Sequence, residues 1–250
     1  MPPPSSPFDP ARARGAVPDK ETYVRALFDG ISPRYDLFNR LASVGLDQGW
    51  RRRAIAAAHL RPGMRVLDVG SGTGDLALAA AEVVSPTGLV AACDLSLPML
   101  RLAMRKGDRV PAGYHVRWIT GRAEQLPMPD GVVDAVVSGF VMRNVSDLRR
   151  ALAESRRVLR SGGRLVILEF SRPSGGLLRW GHCVWLTVGA PLIGWLTTGA
   201  RWPFTYLWRS IAESLDPTAF AVRMREAGFT GVVVTALLGG AVVIYRGINP

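Results

Sequence analysis

Val66-Leu67-Asp68-Val69-Gly70-Ser71-Gly72-Thr73-Gly74-Asp75 is the stretch that decides how this chain folds. Val66 to Val69 read as a buried strand. The alternating glycines let the backbone turn sharply and come close to a ligand, and Asp75-Leu-Ala-Leu-Ala-Ala-Ala opens a helix. The next apolar run ends in Asp94. A carboxylate about 20 residues beyond such a loop, at the end of a second strand, commonly accepts ribose hydroxyls.

The spacing is G-x-G-x-G, with Asp75 where a dinucleotide fingerprint has its last glycine. A pyrophosphate would meet that acid at the helix N-terminus. S-adenosylmethionine carries no phosphate, and its sulfonium and amine are cationic, so a loop flanked by Asp68 and Asp75 suits it. Asp68, Gly70, Gly72, Gly74 and Asp94 are therefore the expected cofactor-binding residues. A tight turn with no ligand is the bland alternative; the loop, the acidic strand end and the later elements agree against it.

At 250 residues the chain has the size of one α/β domain. Its opening, Met-Pro-Pro-Pro-Ser-Ser-Pro, has no apolar core, so residues 1–19 are expected to be a disordered tail and 20–250 a single domain. Cys93 and Cys183 fit neither a metal site nor a disulfide framework, which points to a reducing cytoplasm and no bound metal. The net charge of +11 comes from 29 arginines and only two lysines, Lys20 and Lys106. Such a balance favours nucleic acid, anionic membrane or acidic ligands without choosing among them. No basic stripe is interleaved with aromatics, and Arg51-Arg52-Arg53 reads as a solvated helix face, so nucleic acid is not expected as a partner.

Residues 20–60 read as a helical cap broken at Ser32-Pro33 and Val44-Gly45. Strands are expected at 64–69, 89–94, 115–120, 133–138 and 163–170, with helices near 75–84, 97–106 and 147–159. That alternation is the signature of an open, mostly parallel sheet with helices on both faces. Gly231 to Ala236 and Ala241 to Tyr245 form a closing hairpin, giving seven strands with one reversed, the Rossmann-like layout of the class I methyltransferases.

Residues 171–216 interrupt the alternation and hold five of the seven tryptophans. From Trp180 to Ala200, twenty-one residues, there is no Asp, Glu, Lys or Arg, the length of a membrane span. Four glycines, Pro191, His182 and three threonines argue against a spanning helix. The segment reads instead as an apolar lid over the active site that dips into the bilayer surface; ordinary core helices are the alternative.

Phe28-Asp29-Gly30-Ile31-Ser32-Pro33-Arg34-Tyr35-Asp36-Leu37-Phe38-Asn39, the glycine loop, Ala123-Glu124-Gln125-Leu126-Pro127 and Phe140-Val141-Met142-Arg143-Asn144-Val145 together resemble the C-methyltransferases of ubiquinone and menaquinone biosynthesis. The resemblance runs from residue 24 to 246. It implies S-adenosylmethionine as methyl donor and a reduced polyprenyl quinone precursor, demethylmenaquinol or a ubiquinol precursor, as acceptor. It also implies cofactor contacts at Thr73, Asp94, Arg122 and Ala123, with Asp94 on the ribose and Arg122-Ala123 beside the adenine; Gly139 is a further cofactor-binding candidate. Val141-Met142 replaces the family's usual Gly-Leu, and Arg122 and Gly139 stand where small polar residues are common, which leaves the exact acceptor open.

Methylating a ring carbon requires a phenolate to push electron density onto that carbon. Arg143, just past the fourth strand, is the candidate to stabilise it, since a guanidinium is a poor base but a fixed positive charge; a salt bridge to a neighbouring acid is its alternative role. Asp36 or His182 would take the proton, directly or through water, with a structural role the alternative for each; Tyr35, Asn144, Tyr206 and Trp208 would line the acceptor's path, with plain core the alternative for the last two. The chain is thus expected to work in the cytoplasm, peripherally on the inner face of the plasma membrane, with homodimerisation left open. Another small aromatic or lipid acceptor is the runner-up reading. Base methylation lacks its Asn/Asp-Pro-Pro-aromatic clamp, and a non-catalytic scaffold would not need the intact loop and Asp94.

Overall fold

A computed structural model of the chain describes residues 20–173, 176, 181, 184–189, 192–195, 210–211 and 214–250. Three helices come first: α1 (Lys20–Ile31), α2 (Tyr35–Ala42) and α3 (Leu46–Ala58), broken at the two expected places. There follow β1 (Arg65–Val69), α4 (Asp75–Val84), β2 (Leu89–Asp94), α5 (Leu97–Gly107), β3 (Val116–Thr120), β4 (Val133–Gly139), α6 (Leu148–Val158) and β5 (Leu159–Phe170). The chain closes with α7 (Pro217–Glu226), β6 (Thr230–Leu237) and β7 (Val242–Ile248).

The seven strands form one sheet in the order β3-β2-β1-β4-β5-β7-β6. All neighbours are parallel except β7, which runs antiparallel to both β5 and β6. β1 is central, and all its residues after Arg65 are buried, as a parallel strand covered on both faces must be. Its side chains alternate. Val66 packs with Trp50, Ala54 and Ile55 of α3 and the alanines of α4. Leu67 and Val69 face the opposite layer, with Leu152 of α6 and Phe220 and Met224 of α7. Ala77, Ala80 and Ala81 are fully buried, so α4 lies close against the sheet.

Two elements differ from the sequence reading. Helix α6 ends at Val158 and β5 begins at once, with Gly162 left-handed inside the strand (φ 76°) and a register shift opposite Val133 to Ala135. Gly162 and Gly163 therefore make a bulge inside the strand, where the sequence left a gap between a helix near 147–159 and a strand at 163–170. Helix α7 had no counterpart in the reading, yet its signal is local: Asp216 caps the Thr218 and Ala219 N–H groups at 2.9 and 3.1 Å, and Pro217 takes the first helical position.

Most of the segment expected to form a lid, including His182, Tyr206 and Trp208, lies outside the described residues, as does the expected tail at 1–19. Among the described residues no helix is long and apolar enough to cross a membrane, and no cluster of His, Cys, Asp or Glu could hold a metal ion.

Candidate active site

The strand order reverses at β1, with β2 on one side and β4 on the other, so the loops at the carboxyl ends of these strands diverge and leave a crevice. A cleft of about 800 Å³, open solvent at its mouth included, occupies that position. Gly70 and Gly72 floor it after β1, and Asp94, Leu95 and Ser96 wall it after β2. Gly121, Ala123 and Glu124 follow from β3, and Gly139 to Val141 with Asn144 to Ser146 from β4. Helix α1 roofs it with Glu21, Val24, Arg25 and Phe28, joined by Tyr35 at the start of α2.

The glycine loop is forced. Gly70 and Gly74 are left-handed (φ 69° and 85°), and a side chain on Gly70 would begin 2.3 Å from Val141. On Gly74 it would strike Trp118 at 2.7 Å, whereas a side chain on Gly72 would meet no protein atom within 4 Å. The loop is packed behind and open towards the cleft at Gly72. Asp94 secures it: one carboxylate oxygen accepts the Gly72 N–H at 2.7 Å and the other the Ser96 N–H at 2.8 Å. Burial raises the Asp94 pKa, while those two N–H groups pull against it.

Asp68 lies just below this floor, fully buried, and neither carboxylate oxygen completes a hydrogen bond. Burial and the nearby Asp94 charge push its pKa up to about 8, with partial compensation from Arg51 and the Ala77 N–H. Asp75, by contrast, sits among Lys106 (2.6 Å), Gln48 (3.1 Å) and Arg51 (3.8 Å); burial opposes them, yet its pKa is lowered. A buried acid only partly compensated, beside an open glycine floor, suits a ligand whose positive charge would favour its ionised form.

The cap is tied to the cleft loops by polar contacts. Glu21 pairs with Arg122 at 2.5 Å. Lys20 donates to the carbonyls of Arg143 and Val145 at 3.1 and 2.7 Å. Asp29 accepts from Ser96 Oγ, and Asp36 accepts from Thr73 Oγ1 while pairing with Lys106 at 2.7 Å. Both lysines of the chain are thus used to hold the roof.

A family model for the ubiE/COQ5 methyltransferase family matches residues 17–249. The chain belongs to the ubiE/COQ5 methyltransferase family. It is 39% identical over 234 residues to the demethylmenaquinone methyltransferase of Symbiobacterium thermophilum, covering 92% of this chain and 93% of that protein. It is 37% identical over 231 residues to the ubiquinone/menaquinone biosynthesis C-methyltransferase UbiE of Pseudomonas aeruginosa, covering 92% and 90%. In fold it resembles SAM-dependent methyltransferases from Aquifex aeolicus (TM-score 0.57, 18% identity, 80% of this chain and 89% of that one) and Thermotoga maritima (0.63, 20%, 90% and 99%). The expected class I methyltransferase layout is therefore the observed one.

Within this ubiE/COQ5 site, Gly70, Gly72, Asp94, Ala123, Gly139, Tyr35 and Asn144 all line the cleft. Thr73, Gly74, Asp68, Asp36 and Arg122 sit one layer out, bracing it. Arg122 in particular is committed to Glu21, whereas its neighbour Ala123 lines the wall.

Arg143 is not among the lining residues. Its guanidinium is buried against Glu169 of β5, donates to the Phe140 carbonyl at 2.7 Å and lies over the Phe170 ring at 5.3 Å. Of the two roles open to it in the sequence, the salt bridge is the one this geometry displays. Phe140 explains the need: it is left-handed (φ 62°), strained for a bulky residue, and stacks on Phe170 at 4.4 Å. Arg143 and Asn144 both donate to the Phe140 carbonyl, and together they hold the wall after β4 in this shape.

The sequence reading missed Glu124, Lys106 and Glu169. Glu124 is buried in the wall and accepts the Ser146 N–H at 2.7 Å. Lys106 had a signal, as one of two lysines in an arginine-rich chain.

Arg143→Leu should cost about 3–5 kcal/mol of stability, because Glu169 would be left charged and buried without a partner. Arg143→Leu combined with Glu169→Leu should recover most of that loss, since removing both charges removes the desolvation cost as well. Chemical denaturation of the three proteins checks this, and a near-neutral single variant contradicts the bracing role.

Asp68 generates a pH prediction. A carboxyl whose folded pKa is raised binds a proton that the unfolded chain has released, so the ligand-free fold loses stability as pH climbs from the ordinary carboxylate range towards about 8. Asp68→Asn should flatten that slope in thermal melts. Binding of a cationic ligand should ionise Asp68 and release about one proton near pH 6–7. Calorimetry in buffers of different ionisation enthalpy would show this, and identical proton release from Asp68→Asn would contradict it.

Proposed function

We propose that this chain transfers a methyl group from S-adenosylmethionine to a ring carbon of a reduced polyprenyl quinone precursor, converting demethylmenaquinol to menaquinol. The observation that carries the reading is the cleft itself. A glycine floor between two buried carboxyls, Asp68 and Asp94, meets an apolar wall of Val24, Phe28, Phe140 and Val141 in one enclosure. Similarity to proteins named as demethylmenaquinone and ubiquinone/menaquinone methyltransferases supplies the acceptor class.

S-adenosylmethionine, when bound, supplies a methyl carbon made electrophilic by the adjoining sulfonium. The chain's own residues do the rest. Asp94 offers its carboxylate to the ribose hydroxyls, the glycine floor admits close backbone approach, and Asp68 provides the negative charge that positive groups of the donor require. Ala123 and Met99 give the adenine an apolar surface. Holding two reactants in line is the largest contribution open to such a site, worth ~7–11 kcal/mol when alignment is good.

The acceptor must lose a hydroxyl proton to become nucleophilic at the adjacent carbon, and that carbon then loses its own hydrogen to restore the aromatic ring. Arg25 is the one arginine lining the cleft among the described residues, and no described acid pairs with it. It is the guanidinium placed to favour a phenolate, with Tyr35 across the same enclosure. Arg143 acts as a positioning residue that fixes the wall. Asp36, already shared by Thr73 and Lys106, serves the cap more than proton transfer.

A strain deleted for this gene should accumulate a quinone one methylene unit lighter than the parent's, and the intact gene should restore the parental mass. A naphthoquinone or benzoquinone ring in the accumulated compound identifies the acceptor. An unchanged quinone profile overturns the assignment and favours another aromatic or lipid acceptor.

A further inference from the structure

Helix α2 buries one stripe and exposes an adjacent apolar one that no described residue covers. Phe38 and Ala42 pack against Ile193, a residue of the apolar segment between β5 and α7. Along the exposed stripe, Leu37 and Leu41 lie one turn apart and are 53% and 46% exposed. The ridge continues into the turn that follows, where Val44 is 80% and Leu46 48% exposed. Val44 is left-handed (φ 51°), an unfavourable conformation for a β-branched residue, so backbone strain accompanies an isopropyl group presented to solvent. Beside Ile193, Leu192 and Trp195 are 52% and 45% exposed and extend the apolar surface.

Along α2 and the start of α3 the exposed charge is mainly basic. The carboxylates of α2 and of the first turn of α3 are matched to cations: Asp36 to Lys106, and Asp47 to Arg51 at 3.0 Å. Arg40 reaches Asp47 only at 3.8 Å and is 55% exposed while that acid is 5% exposed, so the positive end faces outward. Arg52 and Arg53 are exposed on α3. Apolar groups projecting from a basic surrounding match a surface that is apolar inside and anionic at its rim.

We propose that α2 and the turn 43–46 are the face by which this enzyme docks on an anionic lipid bilayer, with Leu37, Leu41, Val44 and Leu46 entering the headgroup region. A second copy of the chain would bring two like-charged rims together in a protein of net charge +11, which disfavours that occupant. Amphipathic docking combines apolar burial with attraction to anionic lipids. The placement also serves the acceptor: Tyr35 opens α2 and lines the cleft, so docking sets the cleft beside the lipid that holds a polyprenyl tail. This inference rests on the polyprenyl reading above.

The test is sedimentation of the full chain with vesicles of phosphatidylcholine alone or mixed with phosphatidylglycerol. Wild type should bind the mixed vesicles far better than the neutral ones. Leu41→Glu combined with Val44→Glu should lower partition about ten-fold or more while keeping the melting temperature and methyl transfer to a short-tailed, water-soluble quinol. Arg52→Ser with Arg53→Ser should weaken binding to mixed vesicles only. Unchanged binding by the glutamate variant, or its conversion of a wild-type dimer to monomer, overturns the proposal. Vesicle binding is read without turnover, so it decides the docking face even if the short-tailed quinol proves to be no substrate.

Discussion

One carboxylate organises the site. Asp94 spans from the Gly72 N–H to the Ser96 N–H and so joins the loop after β1 to the loop after β2, at the point where the sheet reverses its strand order. A left-handed glycine loop costs conformational entropy to order and offers little packing of its own in return. The Asp94 bridge, with Val141 and Trp118 filling the space behind Gly70 and Gly74, holds it in one shape. With the loop fixed, Asp68 beneath it stays buried with both carboxyl oxygens short of a hydrogen-bond partner among the described residues.

The roof depends on the same loops. Glu21, Lys20, Asp29 and Asp36 each reach a different strand-end loop, so the cap is tied to all four loops that form the cleft. The opposite wall is held in another way, by a buried Arg143–Glu169 pair that clamps a strained Phe140. Strain of this kind persists only where the surroundings over-determine it, and here the Phe170 stack and the Asn144 amide add to the guanidinium. Floor and wall are thus rigid by different means, while the roof is held mainly by ion pairs and hydrogen bonds.

Local patterns carried much of this into the sequence. The strand–glycine–helix run at 66–75, the acid ending β2, the cap breaks at Ser32-Pro33 and Val44-Gly45 and the closing hairpin are all short-range signals, and each stands where it was read. Long-range pairing was not legible. Arg143 and Glu169 are 26 positions apart and meet only because β4 and β5 are neighbours with Gly139 opposite Leu168. Nothing in the residues near Arg143 distinguishes a clamp from a charge facing ligand. Likewise Arg122 is turned to α1 by Glu21, about a hundred residues earlier in the chain, leaving Ala123 on the cleft. The early start of β5 was not legible either, because a left-handed glycine such as Gly162 ends a helix and bulges a strand equally well.

The central claim is that this cleft aligns a methyl donor with a ring carbon of a reduced quinone. The most direct measurement follows purified enzyme given demethylmenaquinol and donor labelled with carbon-13 at its methyl group. The account predicts label on the ring carbon, seen as a carbon-bound methyl in the product's nuclear magnetic resonance spectrum, and loss of that signal with Asp94→Ala. Label on a ring oxygen, or no transfer by a folded enzyme that binds the donor, would contradict it.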